Sequence, residues 1–478
     1  MAIQAITFPS FTGIRQDRNE YLLPLDQSPD ACNMDTRDGG LSVCSGFSRA
    51  VEAPVPANAS LIRFYLYPDQ EHRQTYFACT AAEIFRYCPE TGTWETFYQL
   101  GHPGTTQKFD FLPCKIGSDT RLLIAQGQET ILCWDGAAEN PTPFGSEEQL
   151  SFHPVNFLEL YCGRLFAAGD KNHPGRLYWS QVPGDERTIE DWSSAADAPD
   201  VSGGHVEVGT DNDPITGLFA LSNQLLIFKR DALYRLLGDR PSNFRILPVD
   251  ASFRQPPHTG CVRYADRLYF LTDEGLCLYN GQTVQRSPAH AALGRLLKQA
   301  DFTDCVSACC NDTLYFAVRE NPTSENNDVL IEYDVLRDRF MLRRGFGIAG
   351  MQGYHGTLYL LTDRKTVVRL DDSEDYDGEP IEAWWTTPRL DFGHKETKKQ
   401  LGHFFCTGTG GPMRLSVNMA IGRYDALVAF SGSDNVTHDV VLRGEERVFA
   451  LRFSNVQGSR FHLDGKSILL ADVQVRPM

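Results

Sequence analysis

Three related stretches of the sequence decide the fold: Arg267-Leu-Tyr-Phe-Leu271, Thr313-Leu-Tyr-Phe-Ala317 and Thr357-Leu-Tyr-Leu-Leu361. Each contains a Leu-Tyr pair followed by two apolar residues. Each also follows a short turn rich in Asp, Asn or Gly, the residues that favour tight hairpins. The three stretches therefore predict one repeated unit in which a β-strand follows a hairpin turn.

Weaker copies of this unit extend toward the N-terminus. The first strands of seven successive units are predicted to begin near Leu61, Phe109, Val155, Ile215, Gly260, Cys305 and Ile348. Most spacings are about 45 residues, the period of a four-stranded propeller blade. An irregular insertion at residues 183–213 leaves the blade count at six or seven. The predicted fold class is therefore all-β, with a β-propeller of about six or seven blades.

The repeat ends after the acidic run at residues 371–379. Beyond Ile381 the strands are longer and alternate between apolar and polar residues, which favours an antiparallel β-sandwich. The first fifty residues are predicted to form an extended arm with one hairpin, which either closes the ring with an added strand or reaches a neighbouring subunit. We therefore predict an N-terminal arm at 1–55, a propeller at 56–375 and a C-terminal β-sandwich at 380–478.

Charge and composition restrict the classes of function. The 478 residues carry a formal net charge of -17, with no block of Lys and Arg. Duplex DNA is therefore a poor general partner, because an acidic surface repels phosphates. The net charge does not say where the basic side chains point, so a channel with a locally basic lining stays an open alternative. Neither a signal sequence nor an apolar run long enough to span a membrane is found, so we expect cytosolic synthesis and no membrane span. The thirteen cysteines, Cys162 included, are expected to be reduced and buried.

Further stretches resemble a known family. The first is 25–41 with Gly46-Phe47, the second combines 227–234, 238–244, 260–261 and 268–281, and the third is 382–393 with Lys398-Lys399. In these stretches the chain is similar to propeller-type virion proteins of tailed bacteriophages, a group that includes nozzle, tail-tube and DNA-stabilising tail accessory subunits. The resemblance implies an oligomeric ring near the portal, on the DNA exit path.

The resemblance also implies a structural role without catalysis or a cofactor. The expected partners are like copies and the portal, adaptor or other tail proteins, with possible non-specific contact to packaged DNA. The expected location is the virion tail, after synthesis in the host cytoplasm. The sandwich and the arm are expected to supply the contacts, and the interface candidates are Trp384, Trp385, Phe404, Phe405, Leu22 and Leu25. Alternation along a strand predicts that one member of each adjacent aromatic pair faces the core.

The alternative function is a carbohydrate-binding or glycoside-hydrolysing propeller that recognises a host surface. Hydrolysis needs two carboxylates facing one cleft. The candidates are Asp110, Asp211, Asp213, Glu274 and Asp304, selected only because they are acids near strand ends. A WD-like interaction scaffold is a third hypothesis, weakened because the Trp134-Asp135 pair occurs once.

Metal sites are not favoured by the sequence. The acidic run partly matches a calcium loop, but its twelfth position would be Trp384 rather than Glu. The histidines His205, His258, His355 and His394 stand alone, without the close spacing of a metal site or a catalytic triad. They are predicted to be surface or turn residues, and no metal or cofactor is expected.

Overall fold

Seven consecutive antiparallel sheets follow one another along the chain between Arg63 and Leu370. The computed structural model describes residues 2–68, 74–103, 108–145, 154–184, 188–209, 213–249, 256–272, 274–287, 291–321, 323–430 and 436–473. The first strands of most neighbouring sheets contact one another, those of blades 7 and 1 included, so these strands surround a central axis. This arrangement is a β-propeller with seven blades.

The strands of the first four blades are these. Blade 1 contains Arg63–Pro68, Gln74–Cys79, Glu83–Cys88 and Thr93–Gln99, and blade 2 contains Asp110–Ile116, Asp119–Ala125, Leu132–Trp134 and Thr142–Pro143. Blade 3 contains Phe157–Tyr161, Arg164–Ala168, Arg176–Trp179 and Gly204–Glu207, and blade 4 contains Ile215–Leu221, Gln224–Lys229, Leu233–Leu237 and Arg245–Val249. In each blade the strands pair in chain order, as consecutive hairpins require.

The strands of the last three blades complete the ring. Blade 5 contains Cys261–Tyr264, Arg267–Thr272, Gly275–Tyr279 and Val284–Arg286, and blade 6 contains Asp301–Cys310, Thr313–Arg319, Val329–Asp334 and Arg339–Arg343. Blade 7 contains Ile348–Tyr354, Thr357–Thr362 and Val367–Leu370, followed by Phe47–Arg49, Asp375–Tyr376 and Glu379–Pro380. The described helices are short: Pro241–Asn243, His258–Gly260 and Gly294–Leu297.

The predicted blade positions are confirmed, and the count is seven. Each predicted start lies within four residues of the observed first strand. The insertion lengthens blade 3 instead of interrupting the ring, because it supplies that blade's fourth strand. The buried Arg164 attaches the insertion by donating hydrogen bonds to the carbonyls of Ser180 (2.6 Å) and Ser202 (2.7 Å).

The ring is closed by a strand from the N-terminal side of the chain. Phe47–Arg49 pairs antiparallel with Val367–Leu370 of blade 7, so residues that precede blade 1 complete the last blade. Gly46 is required at this junction, since a Cβ there would lie 1.8 Å from the Asp375 carbonyl oxygen. The prediction that the N-terminal residues close the ring with an added strand is confirmed.

Two further sheets pack face to face as a sandwich. One contains, in order, Ala2–Phe8, Ser467–Val473, Lys399–Gly410, Phe461–Leu463, Leu41–Val43 and Met34–Asp35, and Val436–Val441 and Glu445–Glu446 also pair with Lys399–Gly410. The other contains Asp30–Cys32, Trp384–Thr386, Ala450–Asn455, Met413–Asn418 and Arg423–Val428. A short parallel pair, Gly13–Ile14 with Gln27–Ser28, completes the N-terminal segment. The predicted hairpin is present as Met34–Asp35 with Leu41–Val43.

The N-terminal segment (residues 2–49) is therefore built into both parts of the molecule. It contributes strands to both sheets of the sandwich and one strand to blade 7. Asn33 lies where these parts meet. Its side-chain Nδ2 donates to the carbonyls of Arg344 (3.0 Å) and Glu382 (2.8 Å). Its Oδ1 accepts from the backbone N–H of Arg344 (2.9 Å) and from the hydroxyl of Tyr376 (3.1 Å). Its φ of 54° is left-handed, a conformation that Asn adopts more readily than most residues.

Nine of the thirteen cysteines are buried as predicted, Cys88, Cys261 and Cys309 are half-buried, and Cys162 is exposed. All thirteen lie in the described part of the chain, and no two of them form a disulfide. Cys162 was expected to be buried, but it is exposed because it lies in the turn between two strands of blade 3 with a φ of 48°. Within the described ranges, none of the helices is long and apolar enough to cross a membrane.

Candidate functional site

A short turn at residues 257–260, called the axial turn below, lies at the centre of the propeller. It leads into the first strand of blade 5, and its His258 reaches three other blades. The His258 Nε2 lies 3.5 Å from Asp110 Oδ1 of blade 2, and the imidazole lies 5.1 Å from the ring of Phe157 in blade 3. It also stacks on Phe219 of blade 4 at a centroid distance of 4.6 Å. One side chain thus contacts the first strands of blades 2, 3 and 4.

The axial turn also contacts blade 6 on its other side. The hydroxyl of Thr259 donates to the carbonyl of Cys305 at 2.6 Å, and the hydroxyl of Ser307 donates to the carbonyl of Thr259 at 3.0 Å. On the side of blade 4, Gly217 provides the space for the imidazole, since a Cβ there would lie 3.2 Å from the Nδ1 of His258. The turn is therefore held from both sides of the axis.

Asp110 is the most constrained carboxylate at this centre. Its Oδ2 accepts the Leu158 amide at 2.9 Å, and its Oδ1 faces His258. Burial opposes ionisation, but the charge and hydrogen bonding of His258, the Leu158 amide and the charge of Arg63 together hold the pKa of the carboxyl below its usual range. Asp110 is thus an ionised group whose oxygens are already used by the protein.

A second ionic pair crosses the same region. The carboxylate of Glu159 in blade 3 accepts from the guanidinium of Arg263 in blade 5, and it also accepts from the Leu160 amide at 3.2 Å. Burial raises the pKa of Glu159, and the nearby Arg263 opposes this only in part. The Arg263 guanidinium lies 5.7 Å from the ring centroid of Phe219, within cation-π distance. The pair therefore passes over blade 4, whose Phe219 lies between the axial turn and Arg263.

The other predicted carboxylates each pair with a separate cation. Asp213 Oδ2 lies 4.0 Å from the Nζ of Lys229, Glu274 pairs with Arg286, Asp304 pairs with Arg319 at 3.2 Å, and Asp211 lies outside the described residues. Sequence reasoning selected Asp110 but missed Glu159. The available signal was an acid inside the otherwise apolar strand Phe157–Tyr161, where a charge must find a partner.

The histidines differ in their surroundings. His258 was predicted to stand alone, and this is wrong, because the fold places it against Asp110 from a distant blade. His205 lies beside Tyr178, His355 lies against Tyr354, and the Nε2 of His394 lies 3.3 Å from the amide nitrogen of Gln4. Over the described residues, no three His, Cys, Asp or Glu side chains are grouped as metal ligands would be.

Two of the predicted interface residues belong to the sandwich core. Trp385 and Phe404 are both 0% exposed. Trp385 packs edge-on against Phe11 at 5.4 Å, and Phe404 packs against Phe8 at 6.3 Å. They are therefore removed as interface candidates, because their side chains point between the two sheets. The prediction that one member of each aromatic pair faces the core is confirmed.

The outward members of the two pairs remain candidates. Trp384 is half-buried, its indole N–H donates to Asp30 Oδ2 at 3.0 Å, and the guanidinium of Arg452 lies 4.7 Å from the centroid of its ring. Phe405 is also half-buried and stacks on His403 at 5.8 Å. Both rings are partly covered by polar neighbours, so neither forms a large open apolar surface by itself.

Leu22 and Leu25 lie beside a groove at the surface of the sandwich. The groove has a volume of about 320 Å³ and passes between the edge strand Ala2–Phe8 and the chain near Leu390. Leu25 lines this groove, while Leu22 is 70% exposed. The adjacent Tyr21 is also exposed, so the N-terminal segment presents apolar side chains to solvent.

Comparison with solved structures finds likenesses at low sequence identity. The extracellular domain of the BT4673 one-component system from B. thetaiotaomicron is 9% identical with a TM-score of 0.45, over 92% of this chain and 64% of that chain. A second structure, titled as the extracellular domain of the BT4673 hybrid two-component system, is 9% identical with a TM-score of 0.45, over 88% of this chain and 59% of that chain. This chain therefore spans less than two thirds of the length of either.

A third likeness is to YCF48 bound to a D1 peptide. It is 10% identical with a TM-score of 0.41, over 68% of this chain and 99% of that chain. No family model and no curated protein matches the chain.

Proposed function

We propose that this protein is a structural subunit of a bacteriophage virion. Its place would be a tail nozzle or head-to-tail accessory ring on the DNA exit path, reached after synthesis in the host cytoplasm. The observation that carries the proposal is the distribution of exposed large apolar side chains. In the described part of the chain, seven lie on the N-terminal segment and the sandwich and three on the propeller: Ile3, Tyr21, Leu22, Ile421, Leu427, Val436 and Val441 against Ile62, Leu247 and Leu336.

This distribution supports assembly through the sandwich. Exposed apolar side chains occur on Ala2–Phe8 and on Arg423–Val428, the end strands of the two sheets, and exposed apolar surface at such places marks regions that other proteins cover. Among the residues that the structure describes, Ala2–Phe8 pairs only with Ser467–Val473 and is thus an edge strand, and Ile3 on this strand is exposed. Free strand edges are common sites of chain-to-chain pairing. The occupant we propose for this face is a second copy of the chain, because a ring needs one heterologous contact repeated between identical subunits.

The structure also bears on the alternative of a glycoside-hydrolysing propeller. That hypothesis requires carboxylates and aromatic rings to converge at one mouth of the ring, whereas the structure brings them together at the propeller centre. However, Asp110 is committed to Leu158 and His258, and Glu159 to Arg263. A retaining or inverting glycosidase needs both carboxylates open to the sugar. No observation at this centre favours the alternative over the structural role.

The first experiment is mass photometry of the purified chain, alone and mixed with portal and tail proteins encoded beside its gene. We expect discrete particles whose mass is a fixed multiple of the 53.6 kDa chain, or a defined complex with the portal. A chain that stays monomeric at micromolar concentration in every mixture would overturn the proposal. Negative-stain images of the same mixtures distinguish a closed ring from irregular aggregation.

A further inference from the structure

The axial turn occupies the centre of the propeller. It enters from blade 5 and contacts the first strands of blades 2, 3, 4 and 6 through His258 and Thr259. Blades 2 and 5 are three positions apart in a ring of seven, so the contact between His258 and Asp110 runs nearly across the diameter. A side chain that joins opposite sides of the ring must lie in the path along its axis.

The ionic pair between Glu159 and Arg263 narrows the space that the axial turn leaves along the propeller axis. Blades 3 and 5 lie on either side of blade 4, so the contact between Glu159 and Arg263 crosses in front of blade 4, next to Phe219. Phe157 and Phe219 are both buried, although they lie on strands that surround the axis. Phe157 also belongs to the apolar cluster between blades 3 and 4, and Phe219 to the cluster between blades 4 and 5, where it packs against Phe228. Their burial therefore has two sources, and the imidazole of the axial turn supplies the second one.

We infer that the axial turn closes the propeller, so that the axis of each subunit is blocked and is not a conduit. The geometric statement concerns the single chain. Its consequence for nucleic acid rests on the proposed function: in a virion ring, no DNA strand would pass along the axis of a propeller, because it would have to displace His258 and break both carboxylate contacts. Asp110 and Glu159 would also repel its phosphates.

Hydroxyl-radical footprinting read by mass spectrometry tests the closure on the intact chain. Phenylalanine rings react with the radical when solvent reaches them. In the wild-type protein we expect Phe219 to react as slowly as Phe430, a sandwich residue of similar burial (6% and 7% exposed). Oxidation of Phe219 at the rate of the exposed Tyr21, corrected for intrinsic reactivity, would overturn the inference. This wild-type measurement does not depend on any variant folding.

A variant makes the assignment specific to the turn. His258→Gly removes the imidazole while keeping the backbone, and we expect the oxidation rates of Phe157 and Phe219 to rise several-fold with no change at Phe430. Circular dichroism and a thermal melt confirm that the variant is folded before footprinting. An unchanged rate at both phenylalanines in a folded variant would show that some other group covers them.

The experiments distinguish a failure of the inferred closure from a failure of the proposed virion function. Protected phenylalanines in a chain that never assembles would leave the closure standing and remove the virion role. If the chain assembles, ultraviolet cross-linking of DNA in the particle tests the consequence for nucleic acid. Cross-links at Phe157, Phe219 or His258 would place DNA on the propeller axis and overturn that consequence, whereas cross-links confined to outer surfaces would support it.

Discussion

The centres of the propeller and the sandwich are filled by different kinds of side chain. At the propeller centre, two contacts between ionisable side chains join strands from separate blades, with Asp110 against His258 and Glu159 against Arg263. Between the two sheets of the sandwich, aromatic rings such as Phe8 pack edge-on against one another. Protonation should therefore lower the stability of the propeller, whereas truncation of a buried ring should lower the stability of the sandwich. The following variants test that division, beginning with the largest effect.

Trp385→Ala should destabilise the protein most. It removes a fully buried indole that packs against Phe11, and truncating a buried aromatic side chain costs about 3–5 kcal/mol of unfolding free energy. The neighbouring Trp384→Ala is the matched control, because it loses one hydrogen bond and one cation-π contact at the surface, worth about 1–2 kcal/mol. Urea denaturation followed by circular dichroism measures both. Equal losses would contradict the assigned core.

Asn33→Gly tests the junction between the two parts. Glycine keeps the left-handed backbone but removes the side-chain amide and its four hydrogen bonds. We expect the free energy of unfolding to fall by about 2–4 kcal/mol. Because these bonds join blade 6 and the sandwich, we also expect calorimetry to resolve two unfolding transitions in place of one. Asn33→Ala adds strain at the positive φ and should be less stable than the glycine variant.

Asp110→Asn tests the pH dependence of the propeller. The folded-state pKa of Asp110 is depressed, so its ionised form contributes stability above its unfolded pKa, and that stability is lost as pH falls through the folded value. We expect the variant to be less stable than wild type by about 2 kcal/mol at neutral pH, with the difference shrinking below about pH 4.

Urea denaturation at several pH values measures this difference, and Asp372→Asn on the exposed acidic run serves as the control. A difference that stays constant from neutral to acidic pH would show that Asp110 contributes through shape and not through charge.

Leu22→Asp should have the smallest effect on stability and a clear effect on assembly. Exposed positions usually tolerate substitution within about 0.5 kcal/mol, so its unfolding curve should match wild type. Leu336→Asp is a close control, since Leu336 on the propeller is 68% exposed and Leu22 is 70% exposed. Sedimentation velocity should show weaker self-association for Leu22→Asp alone. The same loss in both variants would indicate non-specific apolar association.

The propeller and the sandwich also differ in the sequence separation of the strands that they pair. The blades pair strands that are consecutive in the sequence, as in Arg267–Thr272 with Gly275–Tyr279, except where Phe47–Arg49 completes blade 7. The sandwich pairs strands from opposite ends of the sequence, such as Ala2 opposite Val473. Hairpin pairing is set by local turn residues, so the blades could be predicted. Pairing between distant strands depends on which faces become buried together, and no local pattern encodes that.

The candidate site follows the same rule. Alternation predicted that one residue of each aromatic pair is buried, but not that it would be Trp385 and Phe404, because only the packing of the two sheets defines the inner face. His258 looked isolated because its partner Asp110 belongs to a blade three positions away. A charged side chain in an apolar strand, as with Glu159, indicates that a partner is needed without indicating which one.

The sequence by itself determined the repeated hairpin, the approximate start of each unit and the change to alternating strands. It left the blade count at six or seven, and it offered ring closure as one of two roles for the N-terminal segment. Only the tertiary structure decided that this segment completes both the propeller and the sandwich, and that the axial turn occupies the centre. The physical reason is the range of the interactions. Turn chemistry and strand periodicity act over a few neighbouring residues, whereas buried ion pairs and sheet-to-sheet packing join residues that only the folded chain brings together.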